Sequence, residues 1–265
     1  MTSATNRIVL KSPREIELMR AAGRLVHKIL SDLGGRVQPG VTTAELNRRA
    51  EELIAEAGAI SPFKGYRIQQ ARTAFPASIC ASVNGEVVHG IPGDKPLRTG
   101  DVVSIDCGVR LKSYCGDSAA TFAVGPVSPA VQRLLDVTRE ALALALREIR
   151  PGLRWSVVAR KIQRFVESNG FGVVRNYVGH GIGQTMHESP SVPNYVDSTD
   201  RTDDFELVPG MTIAVEPMVT LGSPDTEYAD RDKWIVVTKD RQPAAHFEHT
   251  IAVTASGVDI LTDGR

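Results

Sequence analysis

Hydrophobic residues recur every three to four positions in four stretches of the chain, which is the spacing of one buried helix face. The first two stretches, residues 12–33 and 42–57, each begin with a hydroxyl residue that is followed three positions later by glutamate, as in a capping box. The third begins at Ser128 and, like the first, has proline at the next position, and a fourth follows it. The pattern therefore predicts four α-helices in two pairs.

The two helix pairs are related in sequence. Proline and glycine recur 112 positions apart, and the apolar faces of the second and fourth helices coincide at that offset. Residues 100–106 overlay residues 210–216 at an offset of 110, and each of these strand-like segments ends in a carboxylate, Asp106 or Glu216. An internal duplication would pack two related halves around one shared cleft. The matching positions are Pro39 with Pro151, Gly40 with Gly152, and Gly58 with Gly170.

β-branched and aromatic residues predict further strands at residues 79–83, 116–124, 173–178, 234–238 and 247–253. Because two helices precede each group of strands, the predicted class is α+β. We expect a single domain over residues 1–265, with a short N-terminal arm at residues 1–11, related halves at about 12–124 and 128–254, and a polar loop at residues 198–204.

Lys+Arg and Asp+Glu both number 31, so the formal net charge is zero. Without a basic excess to displace counterions, the chain is not expected to have nucleic acid or an anionic membrane as its main partner. No apolar run reaches the ~18 residues of a membrane span, and residues 1–9 lack the apolar core of a secretory signal, so we expect a cytoplasmic protein. Cys80, Cys107 and Cys115 lack CxxC spacing, which argues against a disulfide framework or a zinc ribbon.

Two aspartates stand out in a predicted hairpin. Asp106 and Asp117 lie in apolar runs separated by residues 110–113. If a tight turn is centred on Leu111 and Lys112, Asp106 lies directly opposite Asp117 on one face of the sheet. Carboxylates that close must be protonated, solvated or bound to a cation, and their apolar neighbours disfavour solvation. The hairpin alone is better explained by two exposed aspartates, and it is the further acids of the chain that favour a bound cation.

Those further acids are Glu216, at the matching strand end of the second half, and Glu248, within Ala244-Ala-His-Phe-Glu-His-Thr250. Three of the six histidines, His89, His180 and His187, lie in glycine-rich segments among the predicted strands. Glycine beside histidine permits a close approach of the backbone, and functional residues are often carried on such loops. A single histidine of this kind is more often structural, so the argument rests on the set.

Competing motifs do not fit. The segment Gly179-x-Gly-x-Gly183 departs from a dinucleotide-binding loop at Gln184, the histidine and glutamate at 187–188 do not form HExxH because Ser191 occupies the last position, and no GxSxG elbow is present. Four carboxylates and one imidazole suit hard or borderline divalent ions. Carboxylates that bridge indicate two ions about 3.5 Å apart, which activate water. Metal-assisted hydrolysis is the predicted reaction class.

A set of five residues resembles, in order and sequence context, the metal ligands of the type I methionine aminopeptidases, which have the pita-bread fold of peptidase family M24. The five residues are Asp106, Asp117, His180, Glu216 and Glu248. The segments that carry the resemblance most specifically are Tyr177-Val-Gly-His-Gly-Ile-Gly with His187, Val215-Glu-Pro-Met218 and Phe247-Glu-His-Thr250. The resemblance extends over almost the whole chain. It implies a fold of two pseudo-twofold-related halves, in which helices back an antiparallel sheet. The chain lacks a zinc-binding N-terminal extension and a long helical insertion, so we expect the bacterial type.

The resemblance implies removal of the initiator methionine from nascent chains with a small second residue, by attack of a metal-bound hydroxide. It implies that Asp106 holds one ion with both oxygens, that His180 and Glu216 hold the other, and that Asp117 and Glu248 bridge the two ions. In addition, His89 is expected to contact the scissile amide nitrogen, and His187 to stabilise the oxyanion. Glu216 is expected to transfer the proton as well.

By the same resemblance, the methionine side chain enters an apolar pocket lined by Phe75, Cys80, Met186 and Trp234. Soft, polarizable walls suit a thioether, although the same four residues would equally suit an ordinary core. Phe75 and Met186 differ from the tyrosine and phenylalanine that bacterial relatives often have at these positions, which affects the expected shape of the pocket.

The resemblance further implies two divalent ions per chain, drawn from cobalt, manganese, iron and zinc according to availability. Expected partners are a nascent polypeptide or peptide N-terminus and, transiently, the ribosome, and a monomer is expected. Two alternatives compete with this interpretation. One is a prolidase or aminopeptidase P with the same five ligands, which usually needs an additional N-terminal domain. The other is a binding module without metals, which would not need to keep all five ligands.

Overall fold

The computed structural model describes residues 8–196 and 204–265. These residues form four α-helices, which confirms the four predicted from the hydrophobic pattern: α1 (Pro13–Arg36), α2 (Thr43–Glu56), α3 (Pro129–Glu148) and α4 (Trp155–Ser168). The predicted N-terminal arm and polar loop lie largely outside the described residues. Within the two described ranges, no helix is both long and apolar enough to span a bilayer.

Side-chain caps determine where the first three helices begin. In α1 the Ser12 amide donates to Glu15 Oε2 at 2.8 Å, and the Glu15 amide donates back to Ser12 Oγ at 3.4 Å. The same reciprocal pair forms at the start of α2, and Ser128 caps α3. Because these bonds satisfy amides that have no partner within the helix, they set the N-terminus of each helix.

The helix α4 begins differently. Its N-cap residue, Arg154, makes no side-chain cap, and the Ser156 amide donates instead to Asp204 Oδ1 at 2.9 Å. The capping carboxylate therefore comes from 48 residues further along the chain, where no local signal could predict it.

Within residues 8–196 and 204–265, fourteen strands accompany the helices. They are β1 (Cys80–Val83), β2 (Glu86–Val88), β3 (Val102–Leu111), β4 (Tyr114–Ala123), β5 (Gly172–Val173), β6 (Gly179–Gly181), β7 (Glu188–Val192), β8 (Thr212–Val215), β9 (Met218–Thr220), β10 (Thr226–Tyr228), β11 (Val236–Thr238), β12 (Ala244–His246), β13 (His249–Val253) and β14 (Val258–Ile260). They form antiparallel sheets in the orders β1-β3-β4, β10-β11-β2, β12-β9-β5 and β14-β13-β8-β6-β7. The predicted α+β class is confirmed.

Each helix pair covers the strands of its own half. One core joins α1 and α2 to β1 and β3, and a second joins α3 and α4 to β8, β9 and β13. Burying these apolar faces contributes the main favourable free energy of folding and leaves the other face of the strands available for polar groups. Representative fully buried residues are Ile29, Leu46 and Ile105 in the first core, and Leu134, Ile162 and Ile213 in the second.

The internal repeat is also present in the structure. The helices α2 and α4 are both 14 residues long. Gly40 and Gly152 both have positive φ, 95° and 85°, so the same left-handed turn leads into each helix. Gly100 and Gly210, with φ of 94° and 91°, precede β3 and β8 in the same way. The two halves therefore share turn geometry as well as hydrophobic pattern.

The register of the β3–β4 hairpin differs from the predicted one. Asp106 pairs with Ala119, and Gly108 pairs with Asp117, so the two aspartates are not directly opposite each other. The turn is centred on Lys112 and Ser113, one residue later than predicted, and both have positive φ (49° and 72°) as a two-residue hairpin turn requires. Because the partner of each residue shifts by two, both aspartates remain on one face of the sheet.

Three predicted strands are shorter than expected. Of the strand predicted at 173–178, only Val173 lies in β5 (Gly172–Val173), and His249–Val253 begins two residues later than predicted. The strand predicted at 234–238 begins at Val236, because the amides of Trp234 and Ile235 donate to Asp230 Oδ1, at 2.9 and 2.8 Å, and not to a neighbouring strand. Local polar bonds of this kind compete with strand pairing.

Gly23 allows α1 to contact the chain near the C-terminus closely. A Cβ at this position would lie 2.0 Å from the backbone oxygen of Leu261, whereas a Cβ on Gly35 of the same helix would meet nothing within 4 Å. Gly23→Ala is therefore expected to lower the free energy of unfolding by about 1–3 kcal/mol. Gly35→Ala is expected to raise it by up to about 1 kcal/mol through helix propensity.

Urea unfolding of both variants and the wild type, followed by circular dichroism, measures these changes. Equal stability of the two variants would show that the contact between α1 and Leu261 is looser than the structure indicates.

Candidate metal centre

Acidic and histidine side chains from both halves line a single cavity of about 310 Å³. One part of its wall is apolar and aromatic, and the other carries the titratable groups. The lining residues are Phe63, Tyr66, Ile68, Phe75, Cys80, Val88, His89, Asp106, Asp117, Tyr177, Val178, His180, His187, Glu216, Met218, Trp234, His246 and Glu248. The cavity thus contains all five residues predicted as metal ligands.

The first half contributes Asp106 from β3 and Asp117 from β4. Asp106 is paired with Cys80 of β1, so it lies on the middle strand of its sheet. Asp117 is fixed by Thr250, which donates through Oγ1 to the Asp117 carbonyl at 2.7 Å and accepts from the Asp117 amide at 3.0 Å. Strand pairing and these two bonds hold both carboxyl groups in a rigid frame.

The second half contributes Glu216, directly after β8, and Glu248, between β12 and β13. The Glu248 amide donates to the carbonyl of Ala119 in β4 at 2.9 Å. With the Asp117–Thr250 bonds, this contact joins the sheets of the two halves at the cavity. The carboxylates of one half are therefore positioned against those of the other.

His180 of β6 lies between the acids of both halves. Its Nε2 is 3.6 Å from Glu216 Oε1 and 3.8 Å from Asp117 Oδ2. Its Nδ1 is 2.9 Å from the carbonyl of Gly181 and must donate to it, since a carbonyl oxygen only accepts. This bond fixes the tautomer and leaves the Nε2 lone pair directed to the carboxylates, as in a metal-ligating histidine.

Burial and mutual repulsion perturb the acids strongly. Burial is the main cause that raises the pKa of Asp117 to about 7. Burial first, and then the charges of neighbouring carboxylates, raise the pKa values of Asp106, Glu216 and Glu248 well above their ordinary range. Burial also lowers the pKa of His180 to about 3, so its imidazole is neutral. These directions mean that the cluster needs protons or cations to be stable.

Several buried atoms of the cluster have no hydrogen-bond partner among the described residues. They include Asp106 Oδ1, Asp117 Oδ1 and Glu248 Oε1. Donor atoms of Asp117, His180 and Glu248 lie within 4.8 Å of one another, and Asp106 lies outside this group but lines the same cavity. Unpaired buried oxygens beside a neutral imidazole match the donor set of a divalent metal ion. The residues therefore fit a metal centre.

The family of the chain follows from its sequence. The sequence model of metallopeptidase family M24 matches residues 17–255. The chain belongs to metallopeptidase family M24. A divalent metal requirement follows from this membership and agrees with the donor set described above.

The relatives of this M24 metallopeptidase agree with the resemblance seen in its sequence. It is 48% identical over 255 residues to methionine aminopeptidase 1 of Bacillus subtilis, covering 96% of this chain and 99% of the relative. It is 44% identical over 257 residues to methionine aminopeptidase of Escherichia coli strain K12, covering 96% and 94%. The predicted similarity to methionine aminopeptidases is confirmed.

Solved structures support the same fold. Methionine aminopeptidase from Rickettsia prowazekii superposes with a TM-score of 0.90 at 39% identity, covering 97% of this chain and 100% of that chain. An Xaa-Pro dipeptidase from Bacillus anthracis gives a TM-score of 0.74 at 23% identity, covering 97% and 62%, and shares the fold alone. The predicted pita-bread fold is confirmed.

The two further predicted histidines flank the metal centre of this M24 enzyme. The His187 ring is 4.3 Å from the His180 ring, and its Nδ1 is 2.9 Å from the Tyr66 hydroxyl. His89 follows β2 with a positive φ of 59°, and its ring meets Tyr177 edge-on at 5.6 Å. Burial lowers the pKa of His89 to about 4, so it is uncharged near neutral pH.

Three of the four residues predicted for the methionine pocket lie together. Phe75, Cys80 and Trp234 line the cavity, and the Phe75 and Trp234 rings meet edge-on at 5.2 Å. The fourth, Met186, belongs to a different apolar cluster and packs against Gly108. A Cβ added to Gly108 would lie 2.3 Å from Met186 Cε. The Met186 side chain fills the space that Gly108 leaves open in β3, next to Phe63, which also lines the cavity.

Among the cavity residues that were not identified from the sequence, two approach predicted site residues through polar atoms. His246 ends β12, and its Nε2 lies 3.5 Å from Glu216 Oε2. His246 stands two positions before Glu248. In a strand, residues at this spacing lie on the same face, so the sequence contained a signal for His246. Tyr66 contacts His187 across 121 residues of sequence, for which the sequence contains no local signal.

Metal binding is expected to stabilise the chelator-treated enzyme more at high pH than at low pH. The raised carboxyl pKa values mean that the folded metal-free form holds more protons than the unfolded chain, so its stability falls as pH rises between 3.8 and about 7. A divalent ion replaces those protons, so its Kd falls as pH rises and a fixed metal concentration stabilises the protein more at high pH. Where that concentration reaches 100 times the Kd, the gain is about 2.7 kcal/mol. Thermal unfolding with and without added metal across this window measures the effect.

The matched control is Asp117→Asn, which should weaken both the pH dependence of the metal-free form and the gain with metal. A gain in wild type that is the same at both ends of the window would contradict the assignment of the cluster.

Proposed function

We propose that this M24 enzyme removes the N-terminal methionine from peptides and newly made proteins whose second residue is small, using two divalent ions and a water nucleophile. The observation that carries the proposal is the cluster of four carboxylates and a neutral histidine on one side of a cavity whose other side is apolar. The likeness to methionine aminopeptidases over 96% of the chain supports the substrate.

We assign the ligands as follows. Asp106 would hold one ion, His180 and Glu216 would hold the other, and Asp117 and Glu248 would be shared between the two ions. The unpaired buried oxygens of Asp106, Asp117 and Glu248 support their assignment as ligands, as does the lone pair of His180 Nε2 for that residue. Bound ions would lower the pKa of water and polarise the scissile carbonyl.

The remaining polar groups of the wall act on the substrate. The carboxylate of Glu216 accepts the proton of the attacking water and passes it to the leaving amine. His89, neutral and partly buried, contacts the scissile amide nitrogen. When the Tyr66 hydroxyl donates to His187 Nδ1, the His187 Nε2 carries a proton that it can donate to the developing oxyanion.

The apolar wall provides selectivity for the first residue. Phe75, Cys80 and Trp234 are only 3–5% exposed, and together they form a dry surface that a thioether can fill. The Trp234 indole nitrogen donates to the Thr73 carbonyl at 3.0 Å, which fixes the ring. Binding a methionine side chain here would orient its own amino end and scissile bond toward the carboxylates.

The setting of the reaction is part of the same proposal. The ions are two of cobalt, manganese, iron or zinc, chosen by availability in the cell. The enzyme is proposed to act as one catalytic domain and as a monomer, in the cytoplasm, on N-termini of nascent chains that emerge from the ribosome. A transient contact with the ribosome would use the surface of this domain.

A Met-Ala-Ser peptide is expected to be cleaved and an Ala-Pro dipeptide to be left intact, because the cavity offers an apolar wall for the first side chain. Product analysis by chromatography, with and without added Mn²⁺ or Co²⁺, tests both peptides. Excess chelator is expected to abolish cleavage, since the water would lose its activating ions. Cleavage of Ala-Pro alone would identify a prolidase instead, and full turnover in chelator would rule out the metal mechanism.

Asp106→Ala is expected to reduce turnover at least about a thousandfold while the fold is kept. The variant lacks a ligand for one ion, and that ion would no longer help to activate water. Bound metal per chain should fall from about two to about one by elemental analysis. Asp136→Ala removes an exposed carboxylate of α3 and serves as the matched control. Wild-type activity of the Asp106 variant would refute the assignment.

A further inference from the structure

We propose that His246 is a sixth ligand of the metal centre, supplying a second imidazole nitrogen on the side of Glu216 and Glu248. This inference rests on the proposed metal site, and it adds a residue to the five assigned above. It makes the centre richer in nitrogen than a set of four carboxylates and one histidine.

The position of the His246 ring carries the inference. The residue is only 2% exposed, and its Nε2 has no hydrogen-bond partner among the described residues. This nitrogen lies 3.5 Å from Glu216 Oε2 and 4.0 Å from Glu248 Oε2. A buried ring nitrogen without a partner is costly, and the groups facing it are the ones that would also face an ion.

The spacing of the donor atoms suits one ion. Ligand atoms about 2.1 Å from a tetrahedral ion lie about 3.4 Å apart, close to the separation of His246 Nε2 and Glu216 Oε2. Donor atoms of Glu216, His246 and Glu248 all lie within 4.8 Å of one another. Three donors from separate backbone positions can thus reach the same ion.

His246 and His180 contact opposite oxygens of the same carboxylate. His180 Nε2 is 3.6 Å from Glu216 Oε1, and His246 Nε2 is 3.5 Å from Glu216 Oε2. Glu216 therefore lies between two imidazoles, with one ring nitrogen near each of its carboxylate oxygens.

The backbone holds His246 firmly in this place. Its amide donates to Thr121 Oγ1 at 2.8 Å, and the same hydroxyl donates to the His246 carbonyl at 2.9 Å. His246 is also paired with Met218 in the ladder of β12 and β9. A side chain anchored to strands of both halves meets the requirement of a preorganised ligand.

A second imidazole has a chemical consequence for the choice of metal. Imidazole nitrogen favours zinc, iron and cobalt, whereas carboxylate oxygen suits manganese. Loss of His246 should therefore weaken Zn²⁺ and Co²⁺ binding more than Mn²⁺ binding. A residue that only hydrogen-bonds to Glu216 would not produce this selective change.

The test compares the full-length wild type, His246→Ala, His246→Gln and the control His249→Gln. His249 lies in β13, its Nδ1 pairs with Thr262 Oγ1 at 2.8 Å, and it does not line the cavity. Each protein is loaded with Zn²⁺, Co²⁺ or Mn²⁺, and the Kd of each ion is measured by calorimetry. X-ray absorption of the Zn²⁺ form and a crystal structure of the wild type give the ligands directly.

We expect a Zn–Nε2 distance of about 2.0–2.1 Å to His246 in the wild type, with one imidazole fewer in the absorption spectrum of both His246 variants. The Kd for Zn²⁺ and Co²⁺ should rise at least about tenfold, and that for Mn²⁺ less. The visible spectrum of the Co²⁺ form should change in both variants and stay the same in His249→Gln.

A wild-type protein that binds ions through the five assigned residues, with His246 beyond bonding distance and an unchanged Zn²⁺ absorption spectrum in the variants, would overturn this inference alone. A wild type that binds no divalent ion would overturn the proposed function together with it.

Discussion

Four carboxylates drawn from both halves of the chain meet in one cavity, where their charges repel one another and lose most of their hydration. Burial and mutual repulsion raise the pKa values of Asp106, Glu216 and Glu248 well above their ordinary range. Such a cluster is stable only if protons or cations neutralise it, so a metal ion completes the structure as well as the chemistry. The rest of the fold can be understood as the frame that keeps these groups together.

This frame consists of two related halves that contact each other at the cavity. Each half supplies two helices that cover one face of its strands, and this arrangement leaves the opposite face for the acids. The halves meet where Asp117 and Thr250 exchange hydrogen bonds and where Glu248 donates to Ala119. Because each half supplies only some of the donor groups, the complete cluster exists only when both halves are folded and joined.

Apolar side chains and titratable groups occupy different walls of the same cavity. The apolar wall comes mainly from the segment between α2 and β1 and from Trp234, whereas the acids come from β3, from β4, and from the chain directly after β8 and between β12 and β13. The connecting residue is Tyr66, which lines the cavity and bonds to His187 beside the metal centre. In the proposed reaction, a substrate side chain on the apolar wall would therefore be linked through Tyr66 to His187.

Local signals in the sequence were sufficient for the four helices, the caps of the first three and the internal repeat, because hydrophobic period and capping residues act within a few positions. The five residues predicted as ligands line one cavity in the structure. The register of Asp106 against Asp117, the cap of α4 by Asp204, and the places of Met186 and His246 were decided only by the tertiary structure. Each of these depends on contacts between residues far apart in the chain, or on a turn whose centre moves by one residue. Packing and long-range hydrogen bonds select among the arrangements that the local pattern permits.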